Sequence, residues 1–154
     1  MKTWLSASLA AILIQLPLFA ILGLLPMAVT GGLDSDELGF YVSAVLIVSV
    51  ATLVLVGLPV FALLLRRERV NAQAIALTGL CIGLLPVAVL GWPYHGLYGR
   101  YSSSSVMFGH VVDYYRSGSP TMYAWLDYLL CMVRTGLQGM LGALAFYWVW
   151  QRQE

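Results

Sequence analysis

The chain has 154 residues, of which 60% are hydrophobic and only 10% charged, with a net charge of +1. A soluble domain is nearer a quarter charged, roughly, and a soluble chain this short has no core large enough for so much apolar surface. Lipid must be the solvent for much of it, and the weak net charge argues against nucleic acid as a partner, which calls for a strong basic footprint.

The first apolar run extends from Trp4 to Thr30. It is too long for the apolar core of a signal peptide, about 7–15 residues, and reads as a retained first span over residues 4–30. It carries no charge, one amide at Gln15, and prolines at positions 17 and 26. Each proline frees a carbonyl four residues back and kinks the axis; for Pro26 that is the Leu22 carbonyl. A glycine pair, Gly31 and Gly32, then opens an acidic loop with Asp34, Asp36 and Glu37.

Helix 2 is expected over about residues 40–65, entered through the interfacial aromatics Phe40 and Tyr41. It is uncharged and contains Ser49, Thr52, Gly57 and Pro59. A short basic loop, Arg66, Arg67, Glu68 and Arg69, leads to helix 3 over about residues 72–92. There Gly79 and Gly83 form a GxxxG pair, whose missing side chains let another helix approach closely. Gly139 and Ala143 repeat the spacing of small residues on helix 4.

The outer loop, residues 93–120, is the one long connection. It opens on a tyrosine- and serine-rich stretch with Tyr94, Tyr98 and Tyr101. Residues 106–116 place Met107, Val111 and Tyr114 at helical spacing, with Phe108, Val112 and Tyr115 beside them and Ser105 as an N-cap. The expectation is a short amphipathic helix on the membrane surface. The five tyrosines at 94, 98, 101, 114 and 115 are candidates for partner binding.

Helix 4, about residues 121–150, is long and apolar but holds Asp127 and Arg134. A charge at membrane depth needs a partner or a wet cavity, so the other helices are expected to pack around this one. At about 1.5 Å of rise per residue, Gln15, Gln138 and Thr52 lie roughly 16–20 Å from the cytoplasmic helix ends and share a layer. Arg134 is one turn higher, level with Ser49 and the Leu22 carbonyl. Arg134 is expected to point inward and bond Asp127, that carbonyl or Ser49; Gln15 and Gln138 are expected to bond across helices. The alternatives for Arg134 are an anion site and a structural clasp or snorkelling cation.

Lys2, Arg66, Arg67, Arg69 and Arg152 share one side, which the positive-inside rule makes cytoplasmic. The fold class that results is an all-α membrane protein: a four-transmembrane-helix bundle of two helical hairpins with both termini cytoplasmic, in a bacterial inner membrane. Trp4, Trp148 and Trp150 are assigned to the inner aromatic belt, and Trp92, Tyr123 and Trp125 to the outer one. Residues 21–31 (ILGLLPMAVTG) and 81–91 (CIGLLPVAVLG) match without a gap at Gly-Leu-Leu-Pro and beyond, as a duplicated hairpin would.

Chemistry is sparsely signalled. Cys81 and Cys131 lie in apolar segments without a CxxC pair and read as small buried hydrophobes. His95 and His110 are loop residues, and Asp113 with Ser102–Ser105 lacks a Gly-x-Ser-x-Gly or metal spacing. No catalytic residue, metal or cofactor is assigned. The reading is a non-enzymatic membrane component that acts through a membrane-protein partner or a second copy, as an accessory, assembly or toxin-immunity subunit. The alternative is a small oligomeric transporter or channel for an anionic or amphipathic substrate at Arg134.

Overall fold

The computed structural model describes residues 2–25, 35–68, 70–93, 102–107 and 110–153. It is mostly helical, with four helices long and apolar enough to cross a bilayer: Trp4–Leu22, Leu38–Arg66, Ala72–Leu90 and Met122–Gln151. These are helices 1 to 4. Little of each span is buried inside the protein, and leucines and valines such as Leu5, Leu55, Leu77 and Leu129 are exposed on all four. In water such a surface would aggregate; facing acyl chains it costs nothing.

The prolines act locally. Helix 1 runs Lys2–Leu13, breaks at Ile14 and resumes as Gln15–Phe19, because Pro17 has no N–H for the Leu13 carbonyl. A π-helical turn, Ala20–Leu24, follows. Helix 2 runs Ser35–Thr52, passes through a second π turn at Leu53–Gly57 and continues as Leu58–Arg66 with Pro59 in its first turn. Helix 3 keeps α geometry from Ala72 to Leu90 through Pro86, and Asn71 caps it by accepting from the Ala74 amide at 2.7 Å. Pro26 and the rest of the first matching segment lie outside the described residues. Where it is described, Ala20–Leu24 is π-helical whereas residues 80–84 of the second copy are α-helical.

Helix 4 is the hub. Helices 3 and 1 make their most extensive contacts with it, while helix 2 is attached more thinly. The arrangement is therefore not two equal hairpins. Helix 2 is pinned near the chain termini by Phe61, whose ring makes edge contacts with Trp4 at 5.4 Å, Phe146 at 4.8 Å and Trp150 at 5.3 Å. Phe61, Phe146 and Trp150, with Ala7, Ala11 and Ile75, form a cluster of buried side chains that joins all four helices, and Trp4 packs against it. Trp150 thus belongs to the core rather than to an aromatic belt. Trp148 does face outward, with the Arg152 guanidinium 3.6 Å above its ring. Ser6 donates to the Gln153 side chain at 2.7 Å, so both chain termini lie at the same end of the bundle. At the opposite end Trp92, Trp125 and Tyr128 stack edge to face.

The long connection between helices 3 and 4 overturns the expected amphipathic helix. Strands β1 (Ser103–Met107), β2 (His110–Arg116) and β3 (Ser119–Pro120) form an antiparallel sheet in the order β1-β2-β3. Val106 faces Val111 and Ser104 faces Asp113, with a bulge at Ser103/Ser104. Ser105 is a strand residue, not a cap. Ser117 and Gly118 both have positive φ, 53° and 81°, as a two-residue type I′ turn requires. The β-branched and aromatic run VVDYY favours a pleated strand and outweighs the helical spacing of Met107, Val111 and Tyr114. The Thr121 amide donates to the Tyr114 carbonyl at 2.9 Å and its hydroxyl to the Asp113 carbonyl, which ties the sheet to the start of helix 4. Cys81, expected to be buried, is instead exposed on the outside of helix 3, and Cys131 is half-buried; both are free thiols.

Candidate functional site: a polar cavity between the four helices

Helices 3 and 4 approach as closely as backbones allow. A Cβ added at Gly79 would lie 2.5 Å from both the Gly139 carbonyl oxygen and the Ala143 methyl. One added at Gly83 would overlap the Thr135 carbonyl. The structure therefore brings Gly79, Gly83, Gly139 and Ala143 into one seam. The same contacts set the antiparallel register: Gly79 is level with residues 139–143, Gly83 with residues 135–136, and Gly91 with Tyr128.

Above this seam, toward helix 2, lies a cavity of about 260 Å³. Its walls are mostly aliphatic, and its polar groups are Gln15, Ser49, Thr52, Thr78, Thr135 and Gln138. Helical rise puts Gln15, Thr52 and Gln138 in one layer and Ser49 one turn higher, and all four line this space. Thr78 and Thr135 were not singled out from sequence, although the same depth arithmetic reaches them.

The amide contact differs from expectation. Gln15 donates from Nε2 to the main-chain carbonyl of Gln138 at 3.3 Å, not to its side chain. Gly142 makes room for it, since a Cβ there would collide with Gln15 Nε2. Thr135 turns its hydroxyl back to the Cys131 carbonyl at 2.9 Å and the Met132 carbonyl at 3.3 Å. The Gln138 side chain, Ser49, Thr52 and Thr78 make no hydrogen bond among the described residues.

Arg134 and Asp127 stand apart from this cavity. Neither lines it, and neither makes an ion pair or a side-chain hydrogen bond among the described residues. Seven residues separate them by about 10 Å along the axis, too far for a direct pair. The register explains how the charges are tolerated. Asp127 is level with Trp92, past the last residue of helix 3, and is exposed. Arg134 is level with Leu85, about 7–8 Å inside the helix 3 terminus at 1.5 Å per residue. It is half-buried and lies off the stripe of helix 4 marked by Ala124, Tyr128, Gly142 and Phe146. That depth suits a long cation whose stem crosses the apolar zone while its head reaches the interface. None of the expected bonds, to Asp127, to the Leu22 carbonyl or to Ser49, is made.

Tyr94, Tyr98 and Tyr101, with His95, lie outside the described residues. Tyr114 and Tyr115 are half-buried on β2. Burial raises the Tyr114 phenol above its ordinary pKa, and the Asp127 carboxylate nearby adds to the shift. No group of three or more metal-ligating side chains occurs among the described residues. No family model, curated protein or solved structure matches the chain.

Proposed function

We propose that this chain is a non-enzymatic membrane component that acts through a membrane-protein partner or a second copy of itself, in the manner of an accessory or assembly subunit. The observation that carries the reading is the uneven attachment of helix 2. Its cytoplasmic-side half is locked by Phe61, whereas Ile47, Val54 and Leu55 form an exposed ridge, 53–74% accessible, on the remainder. Small residues and ridges of this kind are how helices associate within lipid, where van der Waals packing is the main driving force. The side of the membrane is part of the same proposal: the termini cytoplasmic and the sheet outside, in a bacterial inner membrane.

A photoreactive residue at Leu55 tests this in native membranes, with Leu77 on helix 3 as a lipid-facing control. The reading expects Leu55 to cross-link to protein and Leu77 to lipid. Lipid adducts alone at both positions would sink it.

A second reading, a small oligomeric transporter, draws support from the cavity rather than from Arg134. It favours the amphipathic substrate over the anionic one, because no charged side chain among the described residues lines the space.

A further inference from the structure

We propose that the interhelical cavity is a binding site for a neutral, largely apolar molecule that carries a carbonyl or hydroxyl group. The site is independent of whether helix 2 meets a protein partner.

In an apolar helix a serine or threonine ordinarily satisfies its hydroxyl on the carbonyl one turn back. Thr135 does so, and so does Ser43, which donates to Gly39 at 2.8 Å. Ser49, Thr52 and Thr78 do not, and neither does the Gln138 amide among the described residues. All four face the same cavity. No water waits in hydrocarbon to satisfy such groups, so each unpaired donor is costly unless something in the cavity accepts from it.

Phe61 packs on Phe146 and Trp150, which sets helix 2 parallel to helix 4 and brings Thr52 and Ser49 level with residues near 139 and 136. Gly79 packs on Gly139 and Ala143, so Thr78 lies near the same level. The donors fall within about 9 Å along the bundle axis, around the middle of helices 3 and 4. That is one ligand's length, with room for a head among the donors and a body along Ile82, Val87 and Leu53.

Among the described residues the lining contains no ionisable side chain. A charged ligand would lose its hydration with nothing to replace it, whereas a neutral carbonyl or hydroxyl would find several donors. A lone water would leave the aliphatic walls without contacts, which the apolar body of a larger ligand fills. The helix 2 border of the cavity includes residues of the π turn Leu53–Gly57, beyond the Phe61 anchor; this is the side from which a molecule dissolved in the bilayer would enter.

The test uses the full chain in lipid nanodiscs and an alkyl-substituted benzophenone, which is neutral, apolar and carries one photoreactive carbonyl. Charged benzoylbenzoate serves as the comparison. Adduct mapping is expected to find the neutral probe on Ile82 and Leu53 in excess over lipid-facing Leu77, and benzoylbenzoate on neither of the first two. The isosteric pair Thr52→Val and Thr78→Val is expected to reduce labelling at Ile82 about 2–10-fold per hydrogen bond lost, with Leu77 labelling unchanged. Should the pair disturb the fold, Leu77 labelling changes too, and Ala11→Leu, which fills the cavity without removing a donor, takes its place and is expected to abolish labelling at Leu53. Equal labelling of Ile82 and Leu77, equal labelling by the charged probe, or labelling indifferent to both substitutions would overturn the proposal.

Discussion

Replacing both seam glycines of helix 3 by alanine, Gly79→Ala with Gly83→Ala, should part helices 3 and 4. At Gly79 the new methyl would sit about 0.9 Å inside the 3.4 Å at which ordinary contact begins, against the Gly139 carbonyl and the Ala143 methyl. At Gly83 the obstacle is again backbone, the Thr135 carbonyl. Neither can swing aside as a long side chain could, so the helices must separate by close to that amount. A radial gap of about 0.5–1 Å forfeits between a quarter and a half of each dispersion contact. In lipid little else drives the pair together. Overpacking of this kind costs about 1–3 kcal/mol per site. The second methyl partly occupies the space the first has opened, so the pair should be less than additive, about 2–4 kcal/mol in all. Denaturing-detergent titration in bicelles, followed by fluorescence of the Trp92 and Trp125 cluster, measures the loss. Gly39→Ala on helix 2 is the control, since nothing lies within 4 Å of a Cβ there. If the double variant proves as stable as that control, the seam does not hold the bundle and the reasoning fails.

Phe61→Ala should release helix 2 and cost toward the lower end of the roughly 3–5 kcal/mol typical of a core Phe→Ala change, because lipid replaces part of the lost contact; unfolding of the variant beside Leu55→Ala checks it. Arg134→Leu should insert at least as well as the parent and lose no more than about 1 kcal/mol of stability, for the arginine has no bonded partner to strand among the described residues. A larger loss in the same titration would restore the clasp. The Tyr114 phenol should titrate above its usual value of about 10, and Asp127→Asn should remove the smaller part of the shift, since burial is its larger cause. The protonated phenol is favoured in the fold, so this contribution to stability is complete below the unfolded-state pKa and is lost as pH rises through the folded one; ring NMR of labelled Tyr114 follows it.

Much of the scaffold was legible because lipid imposes length. Four apolar runs, separated by an acidic loop, a basic loop and a long polar one, became four helices within a few residues of their expected ends where described. The small-residue spacing and the similar depths of Gln15, Thr52 and Gln138, with Ser49 one turn higher, are legible for a related reason, since spacing and rise fix them without knowledge of the neighbours. Which way a side chain points was harder. In a membrane the lipid face and the packed face are both apolar, so helix 4 shows no periodicity to separate them, and Arg134 could not be aimed from sequence. Phe61 is one apolar residue among many, and nothing local marks it as the ring on which three others converge. The outer sheet was missed through the opposite fault. Val111, Val112, Tyr114 and Tyr115 satisfy a helical spacing by accident, and the strand-forming residues and the Ser117–Gly118 turn decide the conformation.

The account rests on four crossings that return both termini to one end. Single cysteines at Ser6, Gln153 and Ser119, in a background lacking Cys81 and Cys131, measure this with a membrane-impermeant thiol reagent in sealed vesicles of both orientations. Positions 6 and 153 are expected to react from the same face and position 119 from the other. Reaction of 6 and 153 from opposite faces, or of 119 together with them, would contradict the bundle and everything placed inside it.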